Sequence, residues 1–349
     1  MHLALRLMFL VLFLAVAAWA LAPPGAWWTG RLSPSRLTLA SAGPEVGSVG
    51  RVWIDTDAAC GAGPRADPDD CFAILWLLER GVDVVGISTS FGNADAVVVT
   101  ERMAALTSQM RAGGLAVPPV HAGHGQAVDS RPPAEPAGVL ELREALAAGP
   151  LTVLALGPLT NVVAALERRP DLAGNVRRVV AVMGHEAGHV FHPTEGTGRG
   201  VMGHGPIFRD LNVSVDVEAA RRFLALDLPL TLIPYDAGRG AVIGAADLAA
   251  FAIQGPAQAW LAAQAQGWLA FWQDEVGLDG FYPFDWVAAV WLVAPEMFDC
   301  AKVKGEVRLE FAFWVWPRRG MVVEESAGGR TLYCPRTAPG LEGLLLRPK

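Results

Sequence analysis

The sequence predicts an α/β protein: an open, mostly parallel sheet with helices on both faces. Three observations predict it. Short apolar runs of strand length alternate with helix-length segments along most of the chain, the order that builds parallel βαβ units. The chemically informative residues fall directly after those apolar runs, and ligands in such sheets bind beyond the carboxyl ends of the strands. The chain has 349 residues, 52% of them hydrophobic, and no internal repeat, enough for one large α/β domain or two smaller ones.

In order, Arg6 precedes an unbroken apolar run from Leu7 to Ala22, with Ala18-Trp19-Ala20 as a candidate cleavage site. Residues 1–22 therefore read as a signal peptide. Pro23 and Pro24 follow at once, so a retained membrane anchor stays open. Residues 23–50, rich in Pro, Gly and Ser, read as a linker, and residues 51–349 as the folded domain that carries the candidate site. The first strand is Arg51-Val52-Trp53-Ile54, ending in Asp55-Thr56-Asp57; after a Gly/Ala/Pro-rich loop, Asp67-Pro68-Asp69-Asp70 opens a helix carrying Phe72, Ile74, Leu75, Leu77 and Leu78. Val82 to Ser88 reads as the second strand, 95–111 as helix, Val117 to Gly123 as a short strand and loop, and about 140–148 as helix. Leu151 to Leu156 is a strand whose Gly157-Pro158-Leu159-Thr160-Asn161 opens a further helix, and Val176 to Met183 another strand. Asp216 to Leu224 reads as helix, Leu228 to Pro234 as strand, Ala257 to Val276 as one long helix, and Asp285 to Val293 as another. The runs Val303 to Phe311, Phe313 to Trp316, Met321 to Glu324 and Thr331 to Cys334 read as strands or hairpins.

The net charge of −7 and the absence of a basic stripe argue against nucleic acid as a partner. Export to an oxidising compartment, periplasmic or extracellular, makes the four cysteines candidates for disulfides. Cys60 and Cys71 flank most of the loop between Asp57 and Asp69 and are the first expected pair; Cys300 with Cys334 is the pair that remains.

The acidic residues around the first strand and helix carry the chemistry. Carboxylates suit a helix N-terminus, but four or five converging on one strand end exceed what capping needs. Two unit charges about 4 Å apart repel by roughly 4 kcal/mol at an effective dielectric near 20. Protonation relieves that repulsion, and so does a hard divalent cation held by oxygen ligands, which is the favoured reading.

This stretch resembles the inosine-uridine-preferring nucleoside hydrolases, whose signature is an apolar strand followed by D-x-D-P-G-x-D-D and a helix. Asp55-Thr56-Asp57 and Asp69-Asp70 match its two halves; the spacer Ala58 to Pro68 is an insertion, and the Pro-Gly pair is absent. Further along, Thr89 to Asn93, Leu156 to Asn161, Val182-Met183-Gly184, Phe208 to Asn212, Asp216 to Ala220 and Phe284 to Ala289 resemble later family segments in the same order. The resemblance implies a Rossmann-like fold and calcium-dependent hydrolysis of the N-glycosidic bond of a small-molecule ribonucleoside, with homo-oligomerisation left open. It implies Asp57, Asp70, Asp285 and the Leu156 carbonyl as Ca²⁺ ligands, with Asp57 also the catalytic base. Asp69, Asn93, Asp210 and Asn212 would grip the ribose, and Asp55 would support the ligand shell. Phe284 stands where purine-active relatives carry a His that protonates the leaving base, and Phe cannot donate a proton, which leaves Tyr282, Tyr235 or a His of the 185–204 loop as a substitute donor, a leaving group that needs no proton, or loss of activity.

Three other readings compete. His185-Glu186-Ala187-Gly188-His189 matches the zinc-protease pattern, but Gly188 and the Gly-rich stretch from Gly196 to Gly205 make a poor helix, and a loop over the active site is favoured. Asp55-Thr56-Asp57 also resembles the haloacid-dehalogenase-like phosphatases, but Ala59 stands where that family needs Thr or Val, and the lysines are only Lys302, Lys304 and Lys349. An exported protein that binds a ribosyl ligand without turnover is the third reading, suggested by Phe284.

Overall fold

A computed structural model of the chain describes residues 37–41, 49–130, 134–189, 191–194, 209–312 and 316–346. The signal or anchor segment 1–22, most of the linker, the Gly-rich stretch with His204, and Phe208 lie outside the described residues. So do Phe313, Trp314 and Val315 of one expected strand.

The predicted sheet is present. Strand β2 (Val52–Thr56) is an interior strand, flanked by β3 (Val84–Thr89) and β5 (Leu151–Ala155). Outside β3 comes β4 (Val120–Ala122); outside β5 come β6 (Val176–Ala181) and β8 (Leu230–Leu232), and all six run parallel. β13 (Thr331–Thr337) continues parallel beside β8, and β11 (Phe298–Ala312) and β12 (Trp316–Glu325) then add an antiparallel extension. The short β7 (His185–Glu186) runs parallel along the outer side of β12. A separate antiparallel pair joins β9 (Ile243–Gly244) to β10 (Gly280–Phe281). Within the stretch read as a linker, β1 (Ala40–Ser41) pairs with β11 at Cys300 and Asp299.

Alternation along the central strands divides the core into two layers. Ile54, Leu154 and Val180 face one hydrophobic cluster, with Phe72, Leu106, Leu261 and Trp291. Trp53, Val153 and Val179 face the other, with Leu142, Val163 and Phe223. Trp53 fits because residue 86 is glycine: a Cβ there would lie 2.2 Å from the indole.

Helix α1 (Asp69–Glu79) is buried from Asp69 through Leu78. A helix apolar all round belongs inside a large core, and it packs against the equally buried helix Phe284–Val293, with Trp76 edge-on to Trp286 at 5.7 Å. Cys60–Cys71 and Cys300–Cys334 are both bridged. The first closes the loop inserted between β2 and α1.

The long helix expected over Ala257 to Val276 is instead three pieces: Pro256–Gln264, Gln266–Phe271 and a wide turn Trp272–Val276 ending at Gly277, φ +80°. Left-handed backbone at a glycine is a standard helix stop. Among the described residues no helix is long and apolar enough to cross a membrane.

Candidate active site

Every candidate side chain lies where the parallel strands end. Asp55 lies near the end of β2 and Asp57 directly follows it, while Asn93 comes from the loop after β3. Leu156 follows β5, while α1 supplies Asp69 and Asp70 from its first turn. Asp285 sits in the first turn of Phe284–Val293. The packing of these two helices brings their acidic N-terminal turns together: the Asp285 N–H donates to Asp69 Oδ2 at 2.9 Å, and the Asp70 N–H donates to Asp69 Oδ1 at 3.0 Å.

Carboxylate oxygens of Asp69, Asp70 and Asp285 lie within 4.8 Å of one another, and all three residues are buried. The resemblance implied Asp57, Asp70 and Asp285 as the carboxylate ligands; the tightest cluster among the described residues has Asp69 in it. Asp57, fully buried, adjoins through Asn93, whose Nδ2 is 3.3 Å from Asp57 Oδ1 and 3.4 Å from Asp70 Oδ2. The Asn93 main-chain N–H donates to Asp57 Oδ2 at 2.9 Å. Glycine is required around this carboxylate: a Cβ on Gly92 would lie 1.8 Å from Asp57 Oδ2, and one on Gly157 3.1 Å from its Cγ. The Thr56 hydroxyl donates to Asp70.

Electrostatics match the crowding. Burial, then the charge of Asp69, pushes the Asp70 carboxyl up to about 7. Burial and the charge of Asp70 push Asp57 well above the carboxylate range, and burial with the charges of Asp69, Asp70 and Asp57 does the same to Asp285. Such groups ionise together only with a cation among them. Hard oxygen donors, buried and mutually repelling, fit a hard divalent cation.

Behind them, Asp55 is raised to about 6 by burial, against hydrogen bonds from Ser88 and Asn161. Asn161 Nδ2 donates to Asp55 Oδ1 at 2.7 Å and to the Thr89 carbonyl at 3.1 Å, while its Oδ1 accepts from the His124 N–H at 2.8 Å. This ties together the ends of β2, β3 and β5.

Asn212 Nδ2 donates to the Leu156 carbonyl at 2.6 Å and to the Val182 carbonyl at 2.9 Å. The second lone pair of the Leu156 oxygen remains for another partner. Asp210 caps the short helix Leu211–Val215 through the Val213 N–H and accepts from the Gly184 N–H at 2.7 Å. Phe284 is buried in an aromatic group, 4.5 Å from Tyr235 and 5.8 Å from Phe191 between ring centres. Tyr235, one of the substitute donors named from the sequence, does stand beside Phe284, through a contact across 49 positions. Thr56, Ser88 and Asn161 do stand inside or beside the acidic and strand-end motifs.

The zinc-protease geometry is absent. His185 and Glu186 form strand β7, paired parallel with β12, and are not part of a helix. His185 Nε2 lies 2.8 Å from Glu310 Oε2, and His189 Nε2 lies 3.0 Å from Asp236 Oδ1. The two imidazoles engage different carboxylates.

The sequence profile described as inosine-uridine preferring nucleoside hydrolase matches residues 52–332. The chain belongs to this family. Among curated nucleoside hydrolases, a pyrimidine-specific ribonucleoside hydrolase of Klebsiella pneumoniae is 29% identical over 151 residues, covering 43% of this chain and 44% of that protein. A non-specific ribonucleoside hydrolase from the same species is 28% identical over 160 residues, 45% of this chain and 46% of the relative. The chain thus spans under half the length of these curated relatives. In fold it is similar to a plant nucleoside hydrolase, with a TM-score of 0.68 at 18% identity over 85% of this chain and 97% of the other. A purine-preferring ribonucleoside hydrolase from Gardnerella vaginalis gives 0.68 at 16% identity, over 85% and 96% of the two chains. Membership in the nucleoside hydrolase family excludes the phosphatase reading of Asp55-Thr56-Asp57.

Proposed function

We propose that this nucleoside hydrolase family member is an exported, calcium-dependent enzyme that hydrolyses the N-glycosidic bond of ribonucleosides. The observation that carries the reading is the buried Asp69, Asp70 and Asp285 cluster, with Asp57 joined to it through Asn93. Family membership and the names of the relatives support the reaction class. The apolar run before Pro23 and the two disulfides support export.

Asp70 and Asp285 are the proposed core of the cation site, with Asp57 and the Leu156 carbonyl as further ligands and Asp69 against them. Calcium supplies positive charge that offsets these carboxylates and an oxygen-seeking anchor for ribose hydroxyls. Asp57 takes a proton from the attacking water, whose oxygen bonds to the anomeric carbon. The carbon–nitrogen bond breaks and its electron pair leaves with the base. Asp69, Asn93, Asp210 and Asn212 hold the sugar hydroxyls; their hydrogen bonds to main-chain and neighbouring groups fix them before substrate arrives. Gripping the sugar favours an oxocarbenium-like transition state.

Phe284 offers a face for stacking and no proton. A missing general acid costs about 10²- to 10⁴-fold. Wild type is therefore expected to cleave nitrophenyl riboside, whose leaving group needs no proton, much faster than inosine. Phe284→His should raise inosine hydrolysis and change the activated substrate little. Comparable wild-type rates for the two substrates would overturn the assignment of Phe284. The same ring favours a second reading, a ribosyl-binding protein without turnover, which predicts nucleoside binding and no cleavage of either substrate.

A further inference from the structure

Beyond Asp210, away from the acidic cluster, the protein has a cavity of about 230 Å³ lined by Arg209, Asp210, Ser214, His185, Arg319 and Gly320, with Val217 at its wall. That is far more than the roughly 10–15 Å³ that houses one water. A small cavity that shares Asp210 and His185 with it is also lined by Phe191 and Tyr235, the rings that pack on Phe284. The cavity is therefore continuous in its walls with the proposed sugar and leaving-group site.

Two arginines line it. Arg222, Arg308, Arg330 and Arg336 all pair with carboxylates. Arg209 and Arg319 have no ion-pair or side-chain hydrogen-bond partner among the described residues. The carboxylates nearby are already engaged: Asp210 accepts from the Gly184 and Val213 N–H groups, and Glu310 holds His185. Gly320 leaves room for the His185 ring in the cavity wall, since a Cβ there would lie 2.3 Å from its Cε1. Two unpaired guanidinium groups facing one cavity suit an oxyanion, because their planar forks accept phosphate or carboxylate bidentately.

We propose that Arg209 and Arg319 form a subsite for an anionic group carried by the ribosyl substrate, so that this enzyme prefers a charged ribonucleoside over a neutral one. The inference rests on the hydrolase reading above. The shared chemistry is an oxyanion, either a phosphate on the sugar or a carboxylate on the base.

Ribose release from uridine, uridine 5′-phosphate and 6-carboxyuridine should be compared in wild type and the Arg209→Gln/Arg319→Gln double variant, alongside calorimetric titration with inorganic phosphate and with each anionic substrate. Wild type should favour one anionic substrate over uridine by about tenfold or more in kcat/KM, the order expected for a charged hydrogen-bonded contact. The double variant should bring that ratio to about one, losing the charged contact. A preference for uridine 5′-phosphate identifies the sugar phosphate, and one for 6-carboxyuridine the base carboxylate. Equal rates for charged and neutral substrates in wild type, or a preference that survives in the variant, would overturn the proposal. If nothing is hydrolysed, the hydrolase reading fails, and the titrations decide the subsite alone: anion binding lost in the variant upholds it, and no binding by wild type refutes it.

Discussion

Stripping the cation should invert the pH dependence of stability. Without it, the folded protein holds a proton on Asp70, whose carboxyl is raised to about 7 from an ordinary 3.8, and the unfolded chain releases that proton. A raised carboxyl contributes stability that is full below its unfolded value and lost as the pH climbs through its folded value. Each unit of difference is about 1.4 kcal/mol, so the loss between about pH 5 and pH 8 is on the order of 3 kcal/mol. Asp55, raised to about 6, adds in the same direction below that pH. At about 2 °C per kcal/mol for a large domain, the chelated protein should melt roughly 6 °C lower at pH 8 than at pH 5. Calcium competes with those protons and binds more tightly as the carboxylates ionise. At about a hundred times its Kd it adds roughly 2.7 kcal/mol, so the calcium-loaded protein should hold or gain stability over the same range. Calorimetric melts with chelator and with calcium, across the pH series, make the comparison. A chelated protein whose Tm is flat or rises with pH, or a Tm indifferent to calcium, would refute the reasoning.

Asp285→Ala should abolish calcium binding, measured by titration, while the circular dichroism spectrum stays that of the wild type, because only a cluster carboxylate is removed. Cys60→Ser should lower stability to denaturant by about 2–3 kcal/mol, the chain-entropy value for so short a closed loop; an unchanged midpoint would show that the bridge does not pin the insertion between Asp57 and Asp69. Gly92→Ala places a methyl against Asp57 Oδ2 and should lower kcat by about 10²-fold or more while the melting temperature moves by only a few degrees.

Much of this architecture was legible because local pattern and global fold agree. The six parallel strands were visible as apolar runs, and Asp55, Asp57, Asp69 and Asp70 stood out because buried helix starts seldom carry so many acids. Asp285 was legible through the segment Phe284 to Ala289, although only the packing of two helices brings it to Asp69. The break in the stretch Ala257 to Val276 was not legible, since no proline lies inside it and the interruptions fall at Ala265 and Trp272, residues that do not mark a helix end. Nor was the strand at His185–Glu186: it exists because β12 offers it an edge, and a two-residue strand has no periodicity to read. The subsite arginines were invisible for the same reason, lying 110 positions apart.

The most direct test of the central claim is ribose release from a panel of ribonucleosides and nitrophenyl riboside by the purified domain, with chelator and after calcium is restored. Hydrolysis that stops on chelation and returns with calcium is the predicted result. Hydrolysis indifferent to the chelator would contradict the cation assignment, and nucleoside binding with no ribose released under either condition would contradict the enzyme itself.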